Sequence, residues 1–309
     1  MPQMISKGTV LSDRFVVESF ANEGDMGQVY RALDQKTGQP VALRVVPLSI
    51  LRRDDIDHIK ARMQQACALQ HKNIRSTFGM GMTEEYLFIA AEWVDGYNLQ
   101  TQLQKREGDH KRFSFKGAYN IIGHVCNALA HAHDAGTYHG SLNPRAILIN
   151  RAGRVKVHDW ALSTVRIAKP DYAGRGSTES SFWAPEVLKN PREATTRSDI
   201  FSLGAIFYVL ITGRTPERPL RAPSKLGFSP EVDNVIARCM SADPRQRFMS
   251  AKEVKQAISQ LAKSETAGND AAESAGTSTA VDDSLGIDID IEFDPSATQD
   301  VVPVQPPAG

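Results

Sequence analysis

Three kinds of side chain in this 309-residue chain could do chemistry by type and spacing. The first is a carboxylate, Asp159, just past the apolar segment Val155 to Val157. It closes a loop-strand-turn-strand unit that begins at His139-Gly140-Ser141-Leu142-Asn143. A carboxylate so placed can bind a metal ion, or it can cap a turn. The second is the stretch Phe20 to Tyr30, F-A-N-E-G-D-M-G-Q-V-Y, whose glycines let a backbone approach phosphate oxygens without side-chain clashes. The third is the histidines and cysteines. His124, His131 and His133 lie on or near one long helical pattern, but no Cys or carboxylate falls at ligand spacing, so they read as packing or surface residues. Cys67, Cys126 and Cys239 are far apart in apolar surroundings and read as buried free thiols of a reducing compartment.

The elements that must position these groups follow from periodicity. Phe15 to Ser19, Val29 to Leu33, Pro40 to Val46 and Tyr86 to Ala91 read as strands, and Leu51 to Leu69, Phe115 to Ala135 and Ala251 to Leu261 as helices. The most apolar stretch, Phe201 to Ile211, is too short for a bilayer, which needs about 20 residues, and reads as a buried helix. Met1 to Leu11 has neither the basic start nor the apolar run of a secretory leader. Charge is polarised along the chain. From Ser264 onward there are ten acidic residues and no Lys or Arg, so the first 263 residues set 36 basic side chains against 26 acidic, a net +10.

Taken together and in order, these segments resemble a protein kinase of the bacterial Ser/Thr type. The family pattern runs G-x-G-x-x-G-x-V, V-A-I-K, H-R-D-L-x-x-x-N, D-F-G and A-P-E. Here Asn22 takes the first Gly position while Gly24, Gly27 and Val29 match, and Val41-Ala42-Leu43-Arg44 stands for V-A-I-K. Leu69 to Ile74 resembles L-x-H-x-N-I, Glu92 to Gly96 resembles the hinge between lobes, and Ala184-Pro185-Glu186 keeps A-P-E. Ser198 to Gly204 and Asp243 to Phe248 resemble the central helix and the late Arg motif of the large lobe. The resemblance covers roughly residues 13 to 262.

It implies a nucleotide site at Asn22, Gly24, Gly27, Val29, Ala42, Arg44, Ala91, Glu92 and Val94, with Ala91 at the back of the pocket. Asp159 would be a metal ligand, and His139, Glu186, Asp199 and Arg247 would be structural, with Arg247 paired to Glu186. It also exposes departures from what phosphoryl transfer needs. Arg44 replaces the phosphate-contacting Lys. Arg62 falls where helix Leu51 to Leu69 should supply that Lys with a Glu, so two arginines would face each other; a one-turn slip would offer Gln65 or His58, still no carboxylate. Ser141 replaces the base, Asn143 the adjacent Lys, Ala146 the second metal ligand and Gly140 the Arg that docks a phosphorylated activation segment. Trp160-Ala161 replaces Phe-Gly. Glu179 could bring a carboxylate near Ser141, but it would not repair the metal site. Asp25, near the loop tip, would disfavour a third phosphate.

The expected fold is α+β: a two-lobed kinase-like fold with a small β-rich N-lobe, a large helical C-lobe and a disordered acidic C-terminal tail. The boundaries are 1–12 for an N-terminal extension, 13–94 and 95–262 for the lobes, and 263–309 for the tail. Within the tail, Leu285 to Phe293 alternates apolar and acidic residues, which suits either a solvated segment or a strand added to a partner's sheet. The expected function is an inactive, pseudokinase-type binding or allosteric module in cytoplasmic signalling. It would have protein partners, no nucleic acid or membrane contact, at most weak ATP binding through the hinge, and little basis for Mg²⁺. The alternatives are an active Ser/Thr protein kinase using ATP, and a scaffold that anchors the acidic tail.

Overall fold

The computed structural model describes residues 5–24, 27–108, 112–160, 162, 178–217 and 219–270. Residues 10 to 92 build the first lobe. Its antiparallel sheet contains β1 (Val10–Leu11), β2 (Phe15–Gly24), β3 (Gly27–Asp34), β4 (Gln39–Pro47), β5 (Thr77–Met82) and β6 (Tyr86–Glu92), in the order β1-β2-β3-β4-β6-β5. β2 runs beyond Ser19 because Phe20, Asn22 and Glu23 stay paired with β3 through two register shifts, and the ladder closes at Gly24 opposite Gly27. Gly27 is required there: φ is +97°, and a Cβ would lie 2.1 Å from the Val45 carbonyl oxygen. Alternation along the strands buries Phe15, Val17, Tyr30, Val41, Leu43, Val45 and Phe88 on one face. The other face meets helix α1 (Arg53–Ala68), which buries Ile59, Met63 and Ala66.

The second lobe is helical. α2 (Leu99–Gly108), α3 (Phe115–Asp134), α4 (Pro185–Lys189), α5 (Thr196–Thr212), α6 (Pro230–Cys239) and α7 (Ala251–Asp270) surround a small sheet of β7 (Gly96–Asn98), β8 (Ile147–Asn150) and β9 (Val155–Val157). α5 is apolar on all sides and correspondingly buried from Ser198 through Thr212. Thr195 and Ser198 form its capping box, and Gly213 ends it in a left-handed conformation, φ 68°. Gly204 lets α5 and α6 approach, since a Cβ there would sit 2.4 Å from Cys239 Cβ.

The central helix, predicted as buried, is found so, and no described helix is long and apolar enough to cross a membrane. The end of the last helix differs from expectation: α7 continues to Asp270, whereas the sequence pattern ends the helix at Leu261. Extending a formed helix adds one hydrogen bond per residue fixed and avoids the cost of nucleation, so a polar continuation does not need a buried face of its own. Asp25 and the expected tail motif Leu285 to Phe293 lie outside the described residues.

Candidate active site

β9 delivers Asp159 to the cleft between the lobes, and β4 delivers Arg44 from the opposite side. The two meet: Arg44 Nη2 donates to Asp159 Oδ2 at 2.8 Å. The other carboxylate oxygen, Oδ1, lies 3.0 Å from His158 Nδ1, while His158 Nε2 is 2.9 Å from the Arg145 carbonyl. Burial alone would push the Asp159 carboxyl up. Arg44, then His158 and Arg75, outweigh it and hold the group far below the usual carboxylate range. Asp159 also has φ 68°, a left-handed conformation uncommon outside glycine. Backbone strain of this kind persists where surrounding contacts over-determine it, and here the contacts are those of Arg44 and His158.

Arg62 does not face Arg44. From the buried side of α1, its Nε donates to the Trp160 carbonyl at 3.1 Å, its Nη2 donates to the Tyr138 carbonyl, and its guanidinium lies 4.9 Å from the Tyr138 ring centroid. The expected arginine pair is therefore corrected. Like charges at close range repel, and each guanidinium takes a different acceptor on the second lobe. Among the slipped alternatives, Gln65 accepts from the Thr137 hydroxyl at 3.0 Å, and His58 has its pKa lowered by burial, then by Arg62 and Arg192.

The loop before β8 is braced by hydrogen bonds to α5. Asp199, fully buried on α5, accepts from the backbone N–H of His139 (2.8 Å) and of Gly140 (2.7 Å), and lies 2.8 Å from His133 Nε2. His139 Nε2 is 2.8 Å from the His158 carbonyl, its ring packs edge-on against Trp160, and burial lowers its pKa. Ser141 gives its carbonyl to Asn143 Nδ2 (3.2 Å). Asn143 caps the following turn by accepting from the Arg145 N–H (2.8 Å), and Ala146 is buried, its carbonyl accepting from the His158 N–H (3.0 Å). These three positions thus hold the loop in shape, Ser141 without a carboxylate and Ala146 without any metal-ligand atom in its side chain. The side chain of Glu179 lies outside the described residues.

Below the loop, Arg247 binds Glu186 through two parallel bonds, Nη1 to Oε1 at 2.7 Å and Nη2 to Oε2 at 2.8 Å. The Arg247 side chain is fully buried and also donates to the carbonyls of Ser241 and Arg197, while Ser198 Oγ donates to Glu186.

Val29, Ala42, Arg44, Ala91 and Asp159 line one cleft together with Arg75. Asn22, Gly24, Gly27, Glu92 and Val94 are not among the described lining residues. Asn22 pairs with Val29 in the β2–β3 ladder. Glu92, at the end of β6, is held by its side chain to Lys156 Nζ (3.0 Å) and to the Ser76 N–H (3.2 Å). Its carbonyl accepts from Arg75 Nε at 2.7 Å.

Sequence reasoning missed Arg75, His158, Lys156 and the pairing of His133 with Asp199. Only His133 left a signal, its place among three histidines on α3. The other three act through strand register, which places residues distant in sequence side by side.

Two lobes joined at a strand end, a braced loop, a carboxylate after β9 and a bidentate Arg–Glu pair under the large lobe are the architecture of a protein kinase. The family profile of the protein kinase domain matches residues 16–259, and the chain belongs to that family. It is similar to serine/threonine-protein kinase PrkC of Bacillus subtilis, 27% identical over 267 residues that cover 80% of this chain and 40% of that protein. It is also similar to serine/threonine-protein kinase PknJ of Mycobacterium tuberculosis, 30% identical over 281 residues that cover 82% and 46% respectively. The Mycobacterium tuberculosis PknI kinase domain shares the fold, with a TM-score of 0.70 at 22% identity over 84% of this chain and 100% of that one. The chain spans 31–54% of the length of the first curated relatives it matches.

Proposed function

We propose that this kinase domain is catalytically inactive and serves cytoplasmic signalling as a protein-binding or allosteric module. One observation carries the reading: Asp159, the carboxylate left to hold magnesium, is committed to Arg44 at 2.8 Å. Typical members of the family use ATP and Mg²⁺, and the residues present here do not fit that pair. The second metal position is Ala146, the base position is Ser141, and both Asp159 oxygens face a guanidinium or an imidazole. A positioned base is worth roughly 10²–10⁴-fold, and one missing electrostatic stabiliser costs on the order of 10²–10³-fold. The losses do not add, but no other described side chain replaces these groups. Protein partners, rather than nucleic acid or membrane, suit a fold kept intact around an unproductive cleft.

A second reading, an active Ser/Thr protein kinase, is favoured by the relatives, which carry that name across most of this chain's length. A phosphoryl-transfer assay decides between the two. With γ-labelled ATP, Mg²⁺ or Mn²⁺ and a generic protein substrate, the unmodified chain is expected to transfer nothing above background, either to the substrate or to itself. Transfer that disappears in Asp159→Ala establishes the enzyme instead.

A further inference from the structure

We propose that Arg75 closes the base-binding end of the cleft from within, so that this chain excludes purine nucleotides by occupancy. The proposal rests on the inactive reading but concerns a different event, binding rather than transfer. Arg75 sits between the Ile74–Val157 bridge and the start of β5, and its own N–H donates to the Val157 carbonyl at 2.9 Å, which fixes the backbone. From there the side chain enters the cleft beside Val29, Ala42 and Ala91, and its Nε donates to the Glu92 carbonyl at 2.7 Å.

A purine base in such a slot needs apolar walls and a free backbone acceptor for its exocyclic amine. The walls are present. The Glu92 carbonyl, however, already takes a hydrogen bond from a charged donor, a bond about twice as strong as one between neutral groups. Glu92 cannot readily swing away to offer another geometry, because Lys156 and the Ser76 N–H hold its carboxylate. Burial lowers the guanidinium pKa only to about 10, so the cation persists at neutral pH. The enclosed space left beside these side chains is about 20 Å³, room for a water molecule. At the opposite end, the Arg44–Asp159 pair crosses the region where phosphates and metal would lie. Arginine is thus used at both ends of the cleft, with its partners supplied by the chain itself.

Adenosine tests this without involving phosphate, metal or transfer. By calorimetry, the unmodified chain is expected to show no adenosine binding up to millimolar concentration. Arg75→Val is expected to tighten binding at least ten-fold, into the micromolar range, and Arg75→Lys, which keeps a cation, to stay closed. Should the valine variant unfold, Arg75→Met keeps the aliphatic stem, removes the donor and carries the same expectation. Adenosine binding by the unmodified chain as tight as by these variants would overturn the proposal, as would a folded neutral variant that gains nothing. Phosphate transfer by the unmodified chain sinks the inactive reading. Adenosine binding without transfer sinks only the role of Arg75.

Discussion

Arg247 and Ser141 occupy equally recognisable motif positions, yet the structure assigns them very different energetic roles. Arg247 is a buried cation with a bidentate carboxylate and backbone carbonyls as further acceptors; Ser141 is a half-buried loop residue. Removing one partner of a buried ion pair leaves the other charge uncompensated and costs about 3–5 kcal/mol. Arg247→Ala should therefore lower Tm sharply while Ser141→Ala barely moves it, and equal effects in thermal unfolding would count against this arrangement. Catalysis should be equally insensitive to Ser141. Ser141→Asp restores a carboxylate at the base position but leaves Ala146 without a ligand atom and Asp159 on Arg44, so the phosphoryl-transfer assay should still read background.

The substitutions themselves were legible in the sequence, because motif spacing fixes which residue stands in which role. Where each replacement side chain goes was not legible. Arg44 and Arg62 both had to find acceptors, and the choice of Asp159 for one and two backbone carbonyls for the other depends on how far α1 stands from β9, which periodicity does not encode.

At the level of elements, Arg62 ties α1 to the second lobe through two carbonyls, beside the Gln65–Thr137 hydrogen bond. Arg62→Leu keeps helix propensity and much of the buried volume but leaves the Trp160 and Tyr138 carbonyls without these donors. Amide exchange across Arg53–Ala68 should rise relative to the unmodified chain, with little change in α5; unchanged protection of α1 would show that apolar packing alone holds it. The α5–α6 contact makes a second prediction. Gly204→Ala places a Cβ 2.4 Å from Cys239 Cβ, and overpacking of a filled core costs typically 1–3 kcal/mol. Thermal unfolding should show a loss of that size, and a neutral result would mean that α6 can yield.

Elements with strong periodicity were readable to within a few residues. The expected and observed bounds agree at Val155–Val157 and at the start of Phe115–Asp134, where Ser114 caps the helix by accepting from the Gly117 N–H. The misjudged ends have local causes. β2 is prolonged by paired register shifts, and the helix of α7 runs on to Asp270.

For the molecule as a whole, pH dependence follows from which groups are depressed. Arg14, foremost through its hydrogen bond, holds Asp34 at about 2 against an ordinary 3.8, and Asp159, Asp199 and Glu186 shift the same way. Burial also lowers His58, His71, His124 and His139 from their ordinary 6.5. In both sets the unfolded chain binds protons more tightly, so stability rises with pH across each window. Urea unfolding should show stability intact above about pH 6.5. A first loss should follow as the unfolded histidines protonate, and a second below about pH 4 as the unfolded carboxylates do. Stability that increases on acidification from pH 6 to 3 would contradict these assignments.

The opposition between a basic domain and an acidic C-terminal stretch was evident from charge counts alone. What the cleft does was less evident, since the same motifs serve a working enzyme and an inert one. The difference lies in contacts such as Arg44 to Asp159.

That contact can be tested on the unmodified protein by thermal unfolding with ATP, with and without magnesium. A ligand present at a hundred times its Kd stabilises by about 2.7 kcal/mol, and each kcal/mol moves Tm by about 2–4 °C in a domain of roughly this size. If Asp159 is committed to Arg44, magnesium should add nothing to whatever ATP does alone. A rise of several degrees that requires magnesium and vanishes in Asp159→Ala would contradict the account at its centre.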